Sequence, residues 1–137
     1  MGKDTKQIAV ILGATNLDNQ KRLLDGMEMA AKEIGCNLFV FTNYVGTRET
    51  EESVIAATNL LKLPDFRQFD GAIIAPNTIH NPLALEKVTR TLNKIGIPLV
   101  SIDRQVTGMS YVGINSYDAE YALVEHFLYV GHALWRR

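Results

Sequence analysis

Cysteine occurs once, at Cys36, in the 137 residues of the chain. That excludes an intrachain disulfide and any cysteine-built zinc site. No run approaches the roughly 18 consecutive apolar residues that a membrane span needs. The apolar stretch at residues 8–12, preceded by Lys3 and Lys6, is too short for a secretory signal, and no small-residue cleavage site follows it. It predicts a buried first strand. Charge of one sign is also lacking: 14 Lys and Arg face 15 Asp and Glu, for a net charge of −1. A strongly basic surface, and with it non-specific nucleic-acid binding, is excluded. The balance of 47% hydrophobic and 21% charged residues is that of one globular domain rather than a disordered segment. The expected compartment is the cytoplasm, with no membrane contact.

What is present alternates between strand and helix. Ile8-Ala9-Val10-Ile11-Leu12 is a continuous apolar run ending at Gly13, the pattern of a strand covered on both faces. Leu23, Leu24, Met27, Ala30, Ala31 and Ile34 make one stripe of a helix. Gly35 supplies a left-handed cap, and residues 37–41 read as a second strand. Residues 49–63 read as a helix with Val54, Ala57, Thr58 and Leu61 facing inward, closed by Pro64. Asp70-Gly71 is a turn before a third strand at 72–75, which Pro76 stops. Leu85, Val88, Leu92 and Ile95 define a third helix capped by Gly96. A fourth strand at 97–102, a short fifth at 109–113 and a last helix at 118–130, apolar on most sides, complete the pattern.

This alternation predicts an α/β fold, a three-layer doubly wound parallel sheet with right-handed crossovers. In such sheets ligands bind beyond the carboxyl ends of the strands. The segments to inspect are therefore 13–20, 42–48, 76–82 and 103–107.

The first of these carries Gly13 but lacks the other two glycines of a dinucleotide fingerprint, and no glycine precedes a Lys-Ser or Lys-Thr pair. A Rossmann cofactor site and a phosphate-binding loop are both excluded, and no cofactor is expected. The loop offers instead the amides and carboxylate of Asn16, Asp18 and Asn19. Two uses are open to them: capping the following helix, or recognising hydroxyls. After the fourth strand, Asp103-Arg104 places an acceptor pair beside a fork of donors. A sugar hydroxyl needs both kinds of partner. An exposed ion pair of little energetic weight is the other reading.

No catalytic set is visible. His80, His126 and His132 have no partners at metal-ligand spacing, so no metal site is expected. Ser53, Ser101, Ser110 and Ser116 sit in no nucleophile pattern. A receiver domain needs an acceptor Asp closing the third strand, where this chain has Pro76-Asn77. The chain is expected not to be an enzyme.

The stretch GIPLVSIDRQVTGMSYVGINSYDAEYALVEHFLYVGH resembles the LacI/GalR transcriptional regulators and their periplasmic sugar-binding relatives. FDGAIIAPN and RLLDGMEMAAKEIGCNLFVF carry the same likeness, which covers nearly the whole chain. LKLPDFRQFDGAIIAPNTIHNP is similar to the variant of this sensor found ahead of output domains such as diguanylate cyclases. The resemblance implies the amino-terminal lobe of a two-lobed effector-binding module, a periplasmic-binding-protein type I lobe of flavodoxin-like topology. Residues 1–131 would be that lobe, and 132–137 an atypical terminus.

By position, the resemblance implies a sugar-like effector lined by Asn16, Asp18, Asn19, Asp103, Arg104 and Asn115. Asn115-Ser116 stands where many members have Asp-Asn, and Asp18-Asn19 where sugar binders often have stacking aromatics. It also implies a homodimer, a helix-turn-helix ahead of the first strand and a second lobe after Gly131-His132. Seven residues precede Ile8, so no direct DNA contact by this chain is expected. A fragment of a signalling sensor, or a dimerisation module without ligand, are the alternative functions. Tyr117, Tyr121, Phe127, Tyr129 and Trp135 are expected to lie mostly in the core or against the second lobe, and otherwise to serve an interface.

Overall fold

The structure is a computed structural model that describes residues 5–13, 15, 17–42, 50–60 and 64–131. Strand β1, Gln7–Leu12, is followed by α1, Asp18–Ile34, and β2, Asn37–Thr42. Helix α2, Glu51–Leu60, leads through a 3-10 turn at Phe66–Gln68 to β3, Gly71–Ile74. A second 3-10 turn, Pro76–Thr78, precedes α3, Pro82–Asn93; then come β4, Leu99–Ile102, β5, Ser110–Val112, and α4, Ser116–Gly131. Among the described residues the strands form one five-stranded sheet, ordered β2-β1-β3-β4-β5, with every neighbouring pair parallel. This is the doubly wound parallel α/β sheet that the alternation predicts, in the flavodoxin-like strand order that the resemblance implies.

β1, flanked by β2 and β3, sends its side chains to both faces of the sheet. Ala9, Val10, Ile11 and Leu12 are all 0% exposed. Ala9 and Ile11 point to the face covered by α2 and α3, where they join Val54, Ala84, Val88 and Leu92. Val10 and Leu12 point the other way, with Leu23, Leu24 and Met27 of α1. That two-residue alternation is the pleat of a strand. An aromatic group extends the larger core toward the β2 edge: Phe41 meets Phe66 and Phe69 edge-on, with centroids 5.2 and 5.8 Å apart.

The two faces are unequally filled. On the α1 face, Ile8, Ile73 and Val100 are only half-buried and line an open apolar groove of about 460 Å³ with Met27, Ala31 and Leu38. The groove lies toward the amino ends of the strands, under the last turns of α1. Ile34, placed on the inward stripe by its spacing, is 78% exposed there. Its helix overhangs the groove rather than closing it.

The last helix is not part of this lobe's core. Of the core or cross-lobe packing expected for its aromatics, the core part does not hold: Tyr117, Tyr121, Phe127 and Tyr129 are all exposed. The physical reason is that α4 leaves β5 without lying down on the sheet, so its described side chains find no layer of this chain to cover them. It also begins at Ser116, two residues earlier than its periodicity suggests, where the Asn115 side-chain oxygen accepts from the Asp118 amide at 3.5 Å. Trp135, His132, Glu49 and Leu61 lie outside the described residues, as does the whole 132–137 segment.

At the amino end of the sheet, the Asp70 carboxylate accepts from the Gln7 amide at 2.8 Å and from the Lys6 ammonium. The Asp-Gly turn thereby ties the start of β3 to the start of its neighbour β1. The Lys6 hydrogen bond, helped by the Gln7 amide, holds the Asp70 carboxyl below its ordinary range.

Candidate functional site

The parallel strands place Gly13 and the start of α1, with segments 76–82 and 103–107, beyond their carboxyl ends, while residues 14, 16 and 43–48 of the expected segments lie outside the described residues. Two of these loops are fastened by backbone contacts. The Gly13 amide donates to the Thr78 hydroxyl at 2.8 Å, and that hydroxyl donates onward to the Ala75 carbonyl at 2.7 Å. The approach is so close that a Cβ on Gly13 would sit 1.8 Å from the Thr78 carbonyl oxygen. Glycine is required here by contact with neighbouring backbone, not by phosphate recognition.

The end of β4 is fastened similarly. Asp103 has φ 60°, the positive-φ non-glycine residue among those described. Side chains rarely adopt this conformation, and it costs of order 1–2 kcal/mol. It is held from two sides: the Asp103 amide donates to the Val112 carbonyl at 2.9 Å, and Asn77 Nδ2 donates to the Asp103 carbonyl at 3.3 Å. The bend turns the chain out of the sheet and leaves the Asp103 and Arg104 side chains exposed.

The remaining residues fall as follows. Arg104 lines a mixed polar and apolar pocket of about 430 Å³ with His80, Leu85, Thr89 and Gln105, on the α3 side of the sheet. Asp18 and Asn19 open α1, on the opposite side. Asp18 is exposed in the first helical turn, a position where a carboxylate favours the helix dipole. The Asn19 side-chain oxygen accepts from the Gln20 amide at 2.9 Å, which is a local, helix-start use. Asn115 Nδ2 donates to the Asp118 carboxylate at 2.6 Å at the head of α4. Asn16 lies outside the described residues. Among the described residues, no hydrogen bond joins Asp18 or Asn19 to Asp103 or Arg104. The crevice therefore has two banks rather than one preassembled cluster.

Sequence reasoning missed three participants. Asn77 and Thr78 act through loops far away in the chain, and only their position after β3 marked them. Gln20 faces the sheet along the Leu24–Met27–Ala31 stripe of α1, is 2% exposed, and has a side-chain oxygen with no hydrogen-bond partner among the described residues. Such an acceptor at the carboxyl end of β1 is unusual, since buried polar atoms are nearly always paired. Among the described residues, no group of three or more His, Cys, Asp or Glu side chains is placed to hold a metal ion.

Comparison with known proteins bears on the fold. A crystal structure of the Lac repressor bound to ONPG in the repressed state is similar to this chain, with a TM-score of 0.64 at 20% identity. The likeness covers 95% of this chain. Its fold is similar to that of the Lac repressor. The chain spans 37% of that protein's length. No family model matches the sequence, and no curated protein matches it either. No described helix is long and apolar enough to cross a membrane.

Proposed function

We propose that this chain is the effector-sensing lobe of a Lac-repressor-like transcriptional regulator, taking a sugar or a related small polar molecule beyond the carboxyl ends of β1, β3 and β4. The observation that carries the reading is the bend at Asp103. Backbone held in a costly conformation at a strand end is a mark of ligand sites. Here it exposes a carboxylate and a guanidinium on consecutive residues, the acceptor and donor sets that hydroxyls require. Asp103 and Arg104 would bind hydroxyls directly, with Asp18 and Asn19 on the second bank and Asn115 at the rim; Asn16, outside the described residues, is carried as a contact by the resemblance alone. The chain is a binding module rather than an enzyme in this reading, cytoplasmic, homodimeric, and without DNA contact of its own.

One lobe would supply about half the contacts of a two-lobed cleft. Halving a micromolar binding energy of about −8 kcal/mol leaves roughly millimolar affinity. Effector would then act by preferring a closed arrangement of two lobes over an open one.

The test is an amide NMR titration of the chain with monosaccharides up to about 50 mM, far above a millimolar dissociation constant. Shifts confined to residues 13–20, 77–78 and 103–105, lost in Arg104→Ala, are expected. Shifts elsewhere, or none, defeat the proposal. Micromolar affinity would also count against it, because one lobe would then suffice.

A further inference from the structure

We infer that the pocket on the α3 side is an anion subsite, and that the effector it helps to hold is an acid: a sugar bearing a carboxylate or a phosphate. The inference names the chemical class of the effector proposed above and rests on that reading. Asp103 then keeps the ring hydroxyls, while Arg104 and His80 take the acid group.

The pocket, of about 430 Å³, lies between α3 and the loop after β4. That volume is in the range of small-ligand sites. Both walls are held in place. Asn81 caps the start of α3, its side-chain oxygen accepting from the Leu83 and Ala84 amides at 3.0 and 3.2 Å. At the far end of the helix, Asn93 Nδ2 donates to the Thr107 carbonyl at 3.1 Å. The loop packs so closely there that a Cβ on Gly108 would sit 2.8 Å from Asn93 Oδ1. Buried Ile79, with half-buried Leu85 and Val106, gives the pocket its apolar lining. Apolar walls strengthen the attraction between charges held against them.

The charge left over in the pocket is positive. Glu86 is the carboxylate among the described lining residues, and Arg90 engages it at 2.5 Å. Arg104 has no ion pair among the described residues. Asp103 precedes it in the chain, yet no ion pair joins the two, and Asp103 does not line the pocket. The Thr89 hydroxyl already donates to the Leu85 carbonyl at 2.9 Å. The donors that remain are the guanidinium fork of Arg104 and the imidazole of His80. A guanidinium matches the paired oxygens of a carboxylate or phosphate. A neutral hydroxyl needs an acceptor as well as donors, and the carboxylate here is occupied. A cationic group would meet the charge of Arg104.

The test is an amide NMR titration at low salt with glucose and galactose, their uronates and their 6-phosphates. The acids should bind about fivefold tighter than the neutral sugars, or more. They should also move residues 79–80, 85–89 and 106–107. His80→Ala, and salt raised to about 0.5 M, should narrow the gap between acid and neutral sugar. Glu86→Gln, which removes the carboxylate of the pocket, should widen it. The tighter of the two acid series assigns the group as carboxylate or phosphate. Equal affinity for acids and neutral sugars overturns the inference alone and leaves the sugar reading standing. So does a gap that neither His80→Ala nor Glu86→Gln changes, since the acid group is then bound elsewhere. Acids that move the pocket but not residues 13–20, 77–78 and 103 keep the anion site and overturn the sugar reading. A chain that no sugar and no acid moves overturns both.

Discussion

The Gly13 amide and the Thr78 hydroxyl, 65 residues apart in sequence, meet at 2.8 Å and join the loops after β1 and β3. Because the hydroxyl also donates to the Ala75 carbonyl, one oxygen organises both loops at the edge of the crevice.

Thr78→Val keeps the shape and removes both hydrogen bonds. Leaving part-buried partners unpaired costs about 2 kcal/mol, whereas Thr78→Ser should cost under about 1 kcal/mol. Gly13→Ala forces the two backbones apart and should cost about 3 kcal/mol or more. Urea denaturation of the three variants measures the order; Thr78→Val as stable as Thr78→Ser would remove the join as a structural element.

Asp103→Gly should stabilise the fold by up to about 1 kcal/mol. The gain from relieving a left-handed side chain exceeds the extra backbone entropy of glycine. The same change deletes the carboxylate, so the NMR response to sugar should disappear. Stability and binding would then move in opposite directions. A loss of thermal stability in Asp103→Gly would show that the bend carries no strain.

Gln20→Leu replaces a buried, unpaired oxygen with an apolar side chain of similar size. It should raise stability by about 1 kcal/mol, read as a higher urea midpoint at unchanged slope. A fall in stability would mean that the amide is paired in solution, with bound water as the first partner to look for.

Asp70→Asn tests the tie between β1 and β3. The Lys6 contact lowers the folded-state value of Asp70 below its unfolded value. The contribution is therefore fully present above the unfolded value, near pH 3.9, and is lost as pH falls through the folded one. Asp70→Asn should be less stable than the unaltered chain at pH 7, and the difference should shrink on acidification. Stability curves that stay parallel down to strong acid would refute the linkage.

Much of the fold is legible locally because each strand and helix declares itself by its own residues. The run Ile8–Leu12 needs no partner in sequence to read as doubly covered, and Gly35 adopts the left-handed cap, φ 79°, that its place after Ile34 implies. The site is less legible. Asp103-Arg104 stands out in the sequence as a candidate because it follows an apolar strand directly. Asn77 could not, since its role is a hydrogen bond to a carbonyl 26 residues away. The exposure of α4 was hidden for a different reason. A stripe of Tyr117, Tyr121, Val124 and Leu128 records that a helix must be covered, but not by which layer or by which molecule.

The strand order has a consequence for how the chain is made. After β1 and β2 pair, β3 adds to the free side of β1, β4 to β3 and β5 to β4. Each newly synthesised strand therefore meets an edge that is already formed, and no existing pair must be opened to admit it. The sheet can assemble in step with its own synthesis, growing in one direction, with the Asp70 tie locking β3 as it arrives.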